Sequence, residues 1–169
     1  QAQFEQLPAA LSTKLRITHS FMTLVLADPA AGRLLPCLQA AAQGLATDYC
    51  WAKAQFYQPF FQDRDYVFEN YLVNQVFTRL FPFTRGSYLD LYRELVGNLV
   101  VLQTLLLGMA ASPQGLDEAG MVQLFQSYAK YANHNKHHLS NILATLASGP
   151  QDSFVHVMAL LTDEGLDQP

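Results

Sequence analysis

The sequence predicts an all-α fold, a single bundle of six or seven helices spanning residues 1–169. Apolar residues recur with helical spacing along most of the chain, and no segment shows the clean alternation of a half-buried strand. Stretches that contain proline and glycine separate the periodic segments. Only 14% of the residues are charged, against about a quarter in an average globular domain. We therefore expect a large core, an extensive partner surface, or both.

The first two predicted helices are bounded by prolines. One covers Leu7 to Ala27 and ends at Asp28-Pro29, because proline disfavours the helical conformation in the residue before it. The next region runs from Arg33 to Tyr57. Pro36 suits its first turn, and Gly44 is a point of interruption.

The third predicted helix covers about Pro59 to Leu80, and Pro82 stops it. Its apolar side chains occupy nearly the whole circumference, which predicts a central, buried helix. Asn70 and Asn74 are one turn apart and share a face. A buried amide without a partner costs roughly 1–3 kcal/mol, so this face must meet polar groups, water or a ligand. The candidate partners are Asn98, Gln103, His134 and Asn135.

Two interpretations of the asparagine face stay open. It is either a satisfied polar network that fixes the helix register, or a pocket wall that contacts a substrate or cofactor. The network interpretation predicts that Asn74→Ala destabilises the fold by roughly 1–3 kcal/mol.

The second half of the chain predicts a long buried helix followed by shorter ones. Ser87 is a suitable N-cap for a fourth helix that runs to about Ala111. Its apolar stretch, Leu95 to Ala111, is shorter than the roughly 20 residues of a membrane span. Asp117 favours the start of a fifth helix that continues through Tyr131. Two further helices are predicted at about Lys136 to Ala147 and Gln151 to Leu161.

Charge and cysteine content restrict the function classes. A net charge of −4 without a run of Lys and Arg argues against nucleic-acid binding. Cys37 and Cys50 form no CxxC pair and no metal spacing. Their number permits one disulfide, but a reduced cytoplasmic chain is favoured. Since the chain begins at Gln1 without an initiator Met or a signal peptide, we expect the C-terminal fragment of a longer protein.

A second polar concentration runs from Asn133 to His138. His134 and His138 lie one helical turn apart, the spacing that lets two imidazoles bind one metal ion. No acidic residue within the segment completes a known motif, and no third ligand is identifiable. The alternative interpretation is a solvated helix end, and no metal site is assigned.

One stretch resembles a known family. Glu69-Asn70-Tyr71-Leu72-Val73-Asn74, followed by Phe77 and Leu80-Phe81-Pro82-Phe83, is similar to the ENYLVN…LFPF motif of bacterial flagellin lysine-N-methylases. The later Ser127-Tyr128-Ala129-Lys130, with His134-Asn135 beyond it, resembles the closing HN segment of that family. The resemblance covers about Tyr49 to Leu146.

The resemblance implies a parent enzyme that methylates flagellin lysines with S-adenosylmethionine. It also implies an N-terminal cysteine-rich segment that holds an iron–sulfur cluster. Cys37 and Cys50 cannot supply four thiolate ligands, so we expect the cluster cysteines to lie upstream of Gln1. The fragment alone is then expected to be inactive.

Methyl transfer to lysine requires a neutral amine, lined up with the methyl carbon by hydrogen-bond acceptors. If residues of this chain contact substrate or cofactor, the first candidates are Glu69, Asn70 and Asn74. His134 and Asn135 form the second group. No catalytic residue is assigned.

Two other function classes stay open. Long apolar helices and many aromatic residues also suit a ligand-sensing or dimerising helical domain of a transcriptional regulator. A helical module with a purely structural role is the third hypothesis, for which exposed aromatic patches would be the evidence. An all-α bundle by itself implies no activity.

Overall fold

The fold is all-α, as predicted, in a computed structural model that describes residues 9–28, 31–78, 87–135, 137, 138, 140, 142, 144, 157, 160 and 161. Six helices lie within the three long ranges, and these ranges contain no strand. Their bounds are α1 Ala9–Leu26, α2 Leu34–Gly44, α3 in three consecutive turns (Tyr49–Ala52, the π-helical Lys53–Tyr57, and Gln58–Phe61), α4 Tyr66–Thr78, α5 Tyr88–Ala110 and α6 Glu118–His134.

Helix α5 is the centre of the fold, and the other five helices all contact it. Its buried side chains include Val100, Leu102 and Leu105, none of which reaches solvent. By length and composition alone α5 could cross a membrane, but 83% of its most apolar window is buried inside the protein. Packing within the core therefore accounts for its apolar character. Its predicted bounds are confirmed, with Ser87 at the N-cap position.

Helices α2 and α5 cross with their backbones in contact. A Cβ atom on Gly44 would collide with the carbonyl oxygen of Gly108, and one on Gly108 would lie 2.5 Å from the carbonyl oxygen of Ala41. Both positions therefore require glycine for lack of space. The interruption predicted at Gly44 is confirmed, because α2 ends there.

The predicted start of the third helix at Pro59 is wrong. Pro59 belongs to the last turn of α3, and α4 begins only at Tyr66. In the turn between them, the Arg64 guanidinium donates a 2.8 Å hydrogen bond to the Phe60 carbonyl and lies 3.1 Å from the Glu118 carboxylate. These contacts, one of them to a distant helix, stabilise a break that helical periodicity does not reveal.

The expectation that this helix is central and buried is also wrong. Among the residues of α4 only Tyr71 and Gln75 are buried, whereas 74% of the Phe77 side chain is exposed. Asn70 and Asn74 are exposed as well. Apolar residues around the whole circumference do not show which helix fills the centre, and α5 takes that place.

The second half of the chain otherwise follows the prediction. Helix α6 begins after Asp117, whose carboxylate accepts a 2.7 Å hydrogen bond from the Gly120 amide. The described residues 137, 138, 140, 142 and 144 are helical, as predicted for that segment. Most of the predicted last helix, the LFPF motif at 80–83 and the stop at Pro82 lie outside the described residues.

Candidate functional site

Three polar side chains meet in the interior, where α5, α6 and the segment after α6 come together. The hydroxyl of Tyr128 donates to Asn98 Oδ1 at 2.7 Å. His138 Nε2 lies 2.8 Å from the same oxygen and 3.3 Å from the Tyr128 hydroxyl. All three residues are buried, and we call them the Asn98 triad. Because Asn98 Oδ1 serves two partners, it is the hub of the triad.

Aromatic packing encloses the triad. The Phe21 ring of α1 lies 5.1 Å from the Tyr128 ring and 5.3 Å from the His138 ring, centre to centre. Burial, together with the nearby Tyr71 and Glu94, raises the pKa of Tyr128 well above its ordinary value. Tyr128 therefore stays neutral at physiological pH and acts as a hydrogen-bond donor.

A polar cleft opens beside the triad, between the turn that joins α1 to α2 and the C-terminal half of α6. Its volume is about 840 Å³. We call it the His134 cleft. Its walls include Asp28, Arg33, Lys130, Tyr131, His134 and Asn135.

Asn135 shapes this cleft by ending α6. Its side-chain amide donates a 2.6 Å hydrogen bond to the Tyr131 hydroxyl, and its Oδ1 accepts one from the His137 amide at 2.9 Å. The Asn135 backbone lies in the extended region, so the chain leaves the helix axis here. The turn brings His138 into the core, and its amide donates to the Asn135 carbonyl at 3.1 Å.

Asp28 adds a carboxylate to the same wall. Burial is the largest cause that raises the pKa of Tyr131, followed by the charge of Asp28 and by the hydrogen bond between Asp28 and the Tyr131 hydroxyl. The hydrogen bond from Asn135 lowers the pKa of Tyr131 and so opposes the other causes. The neutral hydroxyl therefore donates to Asp28 and accepts from Asn135. The result is a connected row of three polar groups on the cleft wall.

A smaller lobe of about 330 Å³ shares Asp28, Tyr131 and Asn135 with the main cleft and reaches His138. His138 is thus both a wall of this lobe and a member of the Asn98 triad. The buried Asn98 triad therefore holds one residue of the lobe wall, His138, in place. A displacement of Asn98 or Tyr128 would move a cleft residue.

The two groups of candidate residues that the sequence predicts lie in different parts of the structure. His134 and Asn135 line the cleft. Glu69, Asn70 and Asn74 do not; they lie exposed on α4. Asn74 Oδ1 has the Thr78 hydroxyl at 3.5 Å, a contact within the same helix.

Sequence reasoning did not identify Tyr131 and Asp28 as cleft residues. It named Asn98 as a partner of the asparagine face of α4, whereas Asn98 pairs with Tyr128 and His138 instead. Asn98 was the most visible of these, since it interrupts the longest apolar run. Tyr131 and Asp28 carry no such signal, because neither is unusual where it stands in the sequence. They become neighbours only when α1 and α6 pack together.

Metal-binding groups do not cluster in the part of the chain that the structure describes, where no set of three or more His, Cys, Asp or Glu side chains could hold an ion. The imidazole of His138 is occupied in the Asn98 triad, whereas His134 is exposed. Cys37 is buried, Cys50 is exposed, and both are free thiols.

The fold and the cleft together define a helical domain with a polar recess, a class to which several functions belong. The comparison with known proteins decides among them. Residues 1–160 match the family described as the FliB lysine N-methylase C-terminal domain, so the chain belongs to this family. It is the C-terminal part of a lysine N-methylase, and no observation supports the transcriptional-regulator alternative. No curated protein and no solved structure matches the chain.

Proposed function

We propose that residues 1–169 form one domain of an enzyme that methylates flagellin lysines in the bacterial cytoplasm, with S-adenosylmethionine as the methyl donor. Within it, the His134 cleft receives the lysine to be modified. Membership of the lysine N-methylase family supports the reaction class. The observation that carries the cleft assignment is the row formed by Asp28, Tyr131 and Asn135.

This row has the chemistry that a lysine amine requires. The Asp28 carboxylate can accept a hydrogen bond from the neutral amine, the form that attacks the methyl group. Tyr131 and Asn135 keep the Asp28 carboxylate oriented. Orienting a nucleophile in this way lowers the entropic part of the activation barrier.

Methyl transfer also produces a proton. A sulfonium methyl donor, once bound, would supply an electrophilic methyl group, and its carbon–sulfur bond would break as the carbon–nitrogen bond formed. The methylated amine then carries a positive charge and loses its proton. Asp28 stabilises that charge, and the exposed imidazole of His134 on the same cleft is placed to accept the proton.

The exposed face of α4 is the surface that we assign to contact with flagellin. Glu69, Asn70 and Asn74 are exposed there beside the apolar side chains of Val73 and Phe77. An exposed mixture of amides and large apolar groups is typical of a protein-binding surface. Substitution of Asn74 should then raise KM for flagellin and leave kcat unchanged.

An iron–sulfur cluster, if the parent enzyme contains one, does not fit the residues of this chain. A cluster of the usual kind needs four thiolates, and the sequence has two cysteines. Cys37 is buried, with its pKa raised chiefly by burial, which disfavours the thiolate. We propose that the cluster ligands come from another part of the parent protein.

The test is Asp28→Asn in the intact parent protein, with methyl transfer from S-adenosylmethionine to flagellin as the assay. The change keeps the shape of the side chain and removes its charge. Loss of one charge-assisted hydrogen bond, worth roughly 1.5–3 kcal/mol, should lower kcat/KM roughly 10- to 100-fold. Asp63→Asn is the matched control, since Asp63 is exposed and lies outside the cleft. A folded Asp28→Asn protein with wild-type kcat/KM would contradict the assignment.

A further inference from the structure

Two basic side chains, Arg33 and Lys130, line the His134 cleft. Arg33 lies in the turn between α1 and α2, directly before the first residue of α2. Lys130 lies on α6, four residues before His134. Residues four apart share one face of a helix, so Lys130 and His134 face the cleft together. The cleft therefore receives one cation from each of its two walls.

Neither cation is paired with a carboxylate. The side chains of Arg33 and Lys130 form no ion pair and no hydrogen bond with the part of the chain that the structure describes. Arg64 and Arg93, in contrast, lie 3.1 Å and 3.0 Å from carboxylate oxygens. Since no described carboxylate neutralises them, the two cleft cations act on any charged group that enters the cleft.

The cleft is locally positive on an acidic chain. Asp28 is the single carboxylate of its described lining, and its two imidazoles are those of His134 and His137. Tyr131 is neutral, because its pKa is raised chiefly by burial. With the imidazoles uncharged, two cations and one carboxylate leave one net positive charge, whereas the whole chain carries −4. Such a cleft disfavours the cationic form of a bound group relative to its neutral form.

This preference matters for a lysine that is to be methylated. A free lysine side chain has a pKa of about 10.4, so almost all of it is ammonium at neutral pH and cannot attack a methyl group. Asp28 alone would stabilise the ammonium form, whereas nearby cations have the opposite effect. Enzymes use a neighbouring cation to make a lysine nucleophilic in this way.

We propose, on the basis of the proposed lysine site, that Arg33 and Lys130 keep the bound substrate lysine in its neutral, nucleophilic form while Asp28 orients it. The ammonium proton passes to solvent as the lysine enters the cleft, before the amine attacks. A unit charge about 8 Å from an amine at a partly solvated site changes its protonation equilibrium roughly threefold to tenfold. Each cation therefore contributes a measurable part of the effect.

The experiment is calorimetric binding of two flagellin peptides to the intact parent protein at neutral pH, without methyl donor. Both peptides lack acidic residues. One contains a single lysine, and in the other ε-hydroxynorleucine, a neutral analogue of the same length, replaces it. Lys130→Gln should bind the lysine peptide roughly threefold to tenfold more tightly than the wild type, and the neutral peptide equally well. Lys130→Arg, which keeps the charge, should bind both peptides like the wild type.

Arg16→Gln is the matched control, because Arg16 is exposed and lies outside the cleft. It should leave both affinities unchanged. Arg33→Gln should act like Lys130→Gln. Asp28→Asn should act in the opposite direction and weaken binding of the lysine peptide, since it removes the charge that favours the ammonium form. All these differences should shrink at about 1 M salt, because both cations are exposed to solvent.

Methyl transfer supplies a second readout, one that a merely structural role would not move. Lys130→Gln should lower kcat and KM for flagellin by similar factors and leave kcat/KM close to that of the wild type, because the ammonium form that it favours is bound but unreactive. The rising limb of kcat against pH should move up by about 0.5–1 pH unit. Lys130→Arg should leave this limb where it is.

Two results would overturn the proposal. One is equal affinity of Lys130→Gln and wild type for the lysine peptide. The other is weaker binding of the neutral peptide to Lys130→Gln, which would mean that the cation holds a polar group of the substrate instead. If either occurs while Asp28→Asn lowers kcat/KM as expected, the cleft stays the lysine site and only the role of the cations fails. If neither peptide binds and Asp28→Asn has wild-type kcat/KM, the lysine site itself fails, and the role of the cations with it.

Discussion

Asn98→Ala should destabilise this domain more than any other single change in the Asn98 triad. The substitution removes the oxygen that accepts from Tyr128 at 2.7 Å and faces His138 Nε2 at 2.8 Å. Both partners are almost completely buried. Tyr128 is fully buried, so its hydroxyl cannot turn to water when the shared acceptor is lost.

The magnitude follows from the number of groups that lose the shared acceptor. A buried polar group without a partner costs roughly 1–3 kcal/mol. Two such groups would give at most about 6 kcal/mol, but Tyr128 and His138 lie 3.3 Å apart and can pair with each other after a change of tautomer. We therefore expect a loss of about 2–4 kcal/mol. Tyr128→Phe removes one donor and leaves His138 on Asn98, so its expected loss is about 1 kcal/mol.

Urea unfolding followed by circular dichroism measures both losses, with Asn74→Ala as the control. Asn74 is exposed, so its substitution should change the free energy of unfolding by less than about 0.5 kcal/mol. This small expected change replaces the loss of roughly 1–3 kcal/mol that the sequence predicted for a buried Asn74. The reasoning is refuted if Asn98→Ala is no more destabilising than Tyr128→Phe, or if Asn74→Ala is the most destabilising of the three.

Two further predictions concern the core. Gly44→Ala should destabilise the domain by at least about 1–3 kcal/mol in thermal unfolding, because its Cβ meets the backbone of Gly108. Gln43→Ala is the control, since Gln43 is exposed. Equal thermal midpoints for the two variants would contradict the backbone contact. Stability should also fall as the pH rises above about 10, since the raised pKa of Tyr128 keeps it protonated in the folded state while the unfolded chain releases that proton. Tyr128→Phe should make the fall of the unfolding free energy with pH shallower by up to about 1.4 kcal/mol per pH unit. An unchanged slope in urea unfolding at alkaline pH would contradict the raised pKa of Tyr128.

Local signals in the sequence were sufficient for most of the helices. Pro29, Ser87 and Asp117 mark helix ends because their effects act within one turn of the backbone, and the structure has α1, α5 and α6 where these residues predict them. The break before α4 was missed because it depends on Arg64 reaching Glu118, a contact across 54 residues.

The candidate site was predicted only in part, for the same reason. His134 and Asn135 were identified from their resemblance to a family motif, and they do line the cleft. Asp28 and Tyr131 were not identified, because their hydrogen bond joins the end of α1 to α6.

The sequence by itself determined the fold class, the family and most helix ends, since periodicity, capping residues and a short motif are local properties. The tertiary structure alone decided which helix fills the centre and which polar residues are buried. Asn70 and Asn98 show why. Both lie in strongly apolar stretches, but packing leaves Asn70 in solvent and places Asn98 against Tyr128 and His138. Burial depends on what the other helices cover, and no single stretch of sequence contains that information.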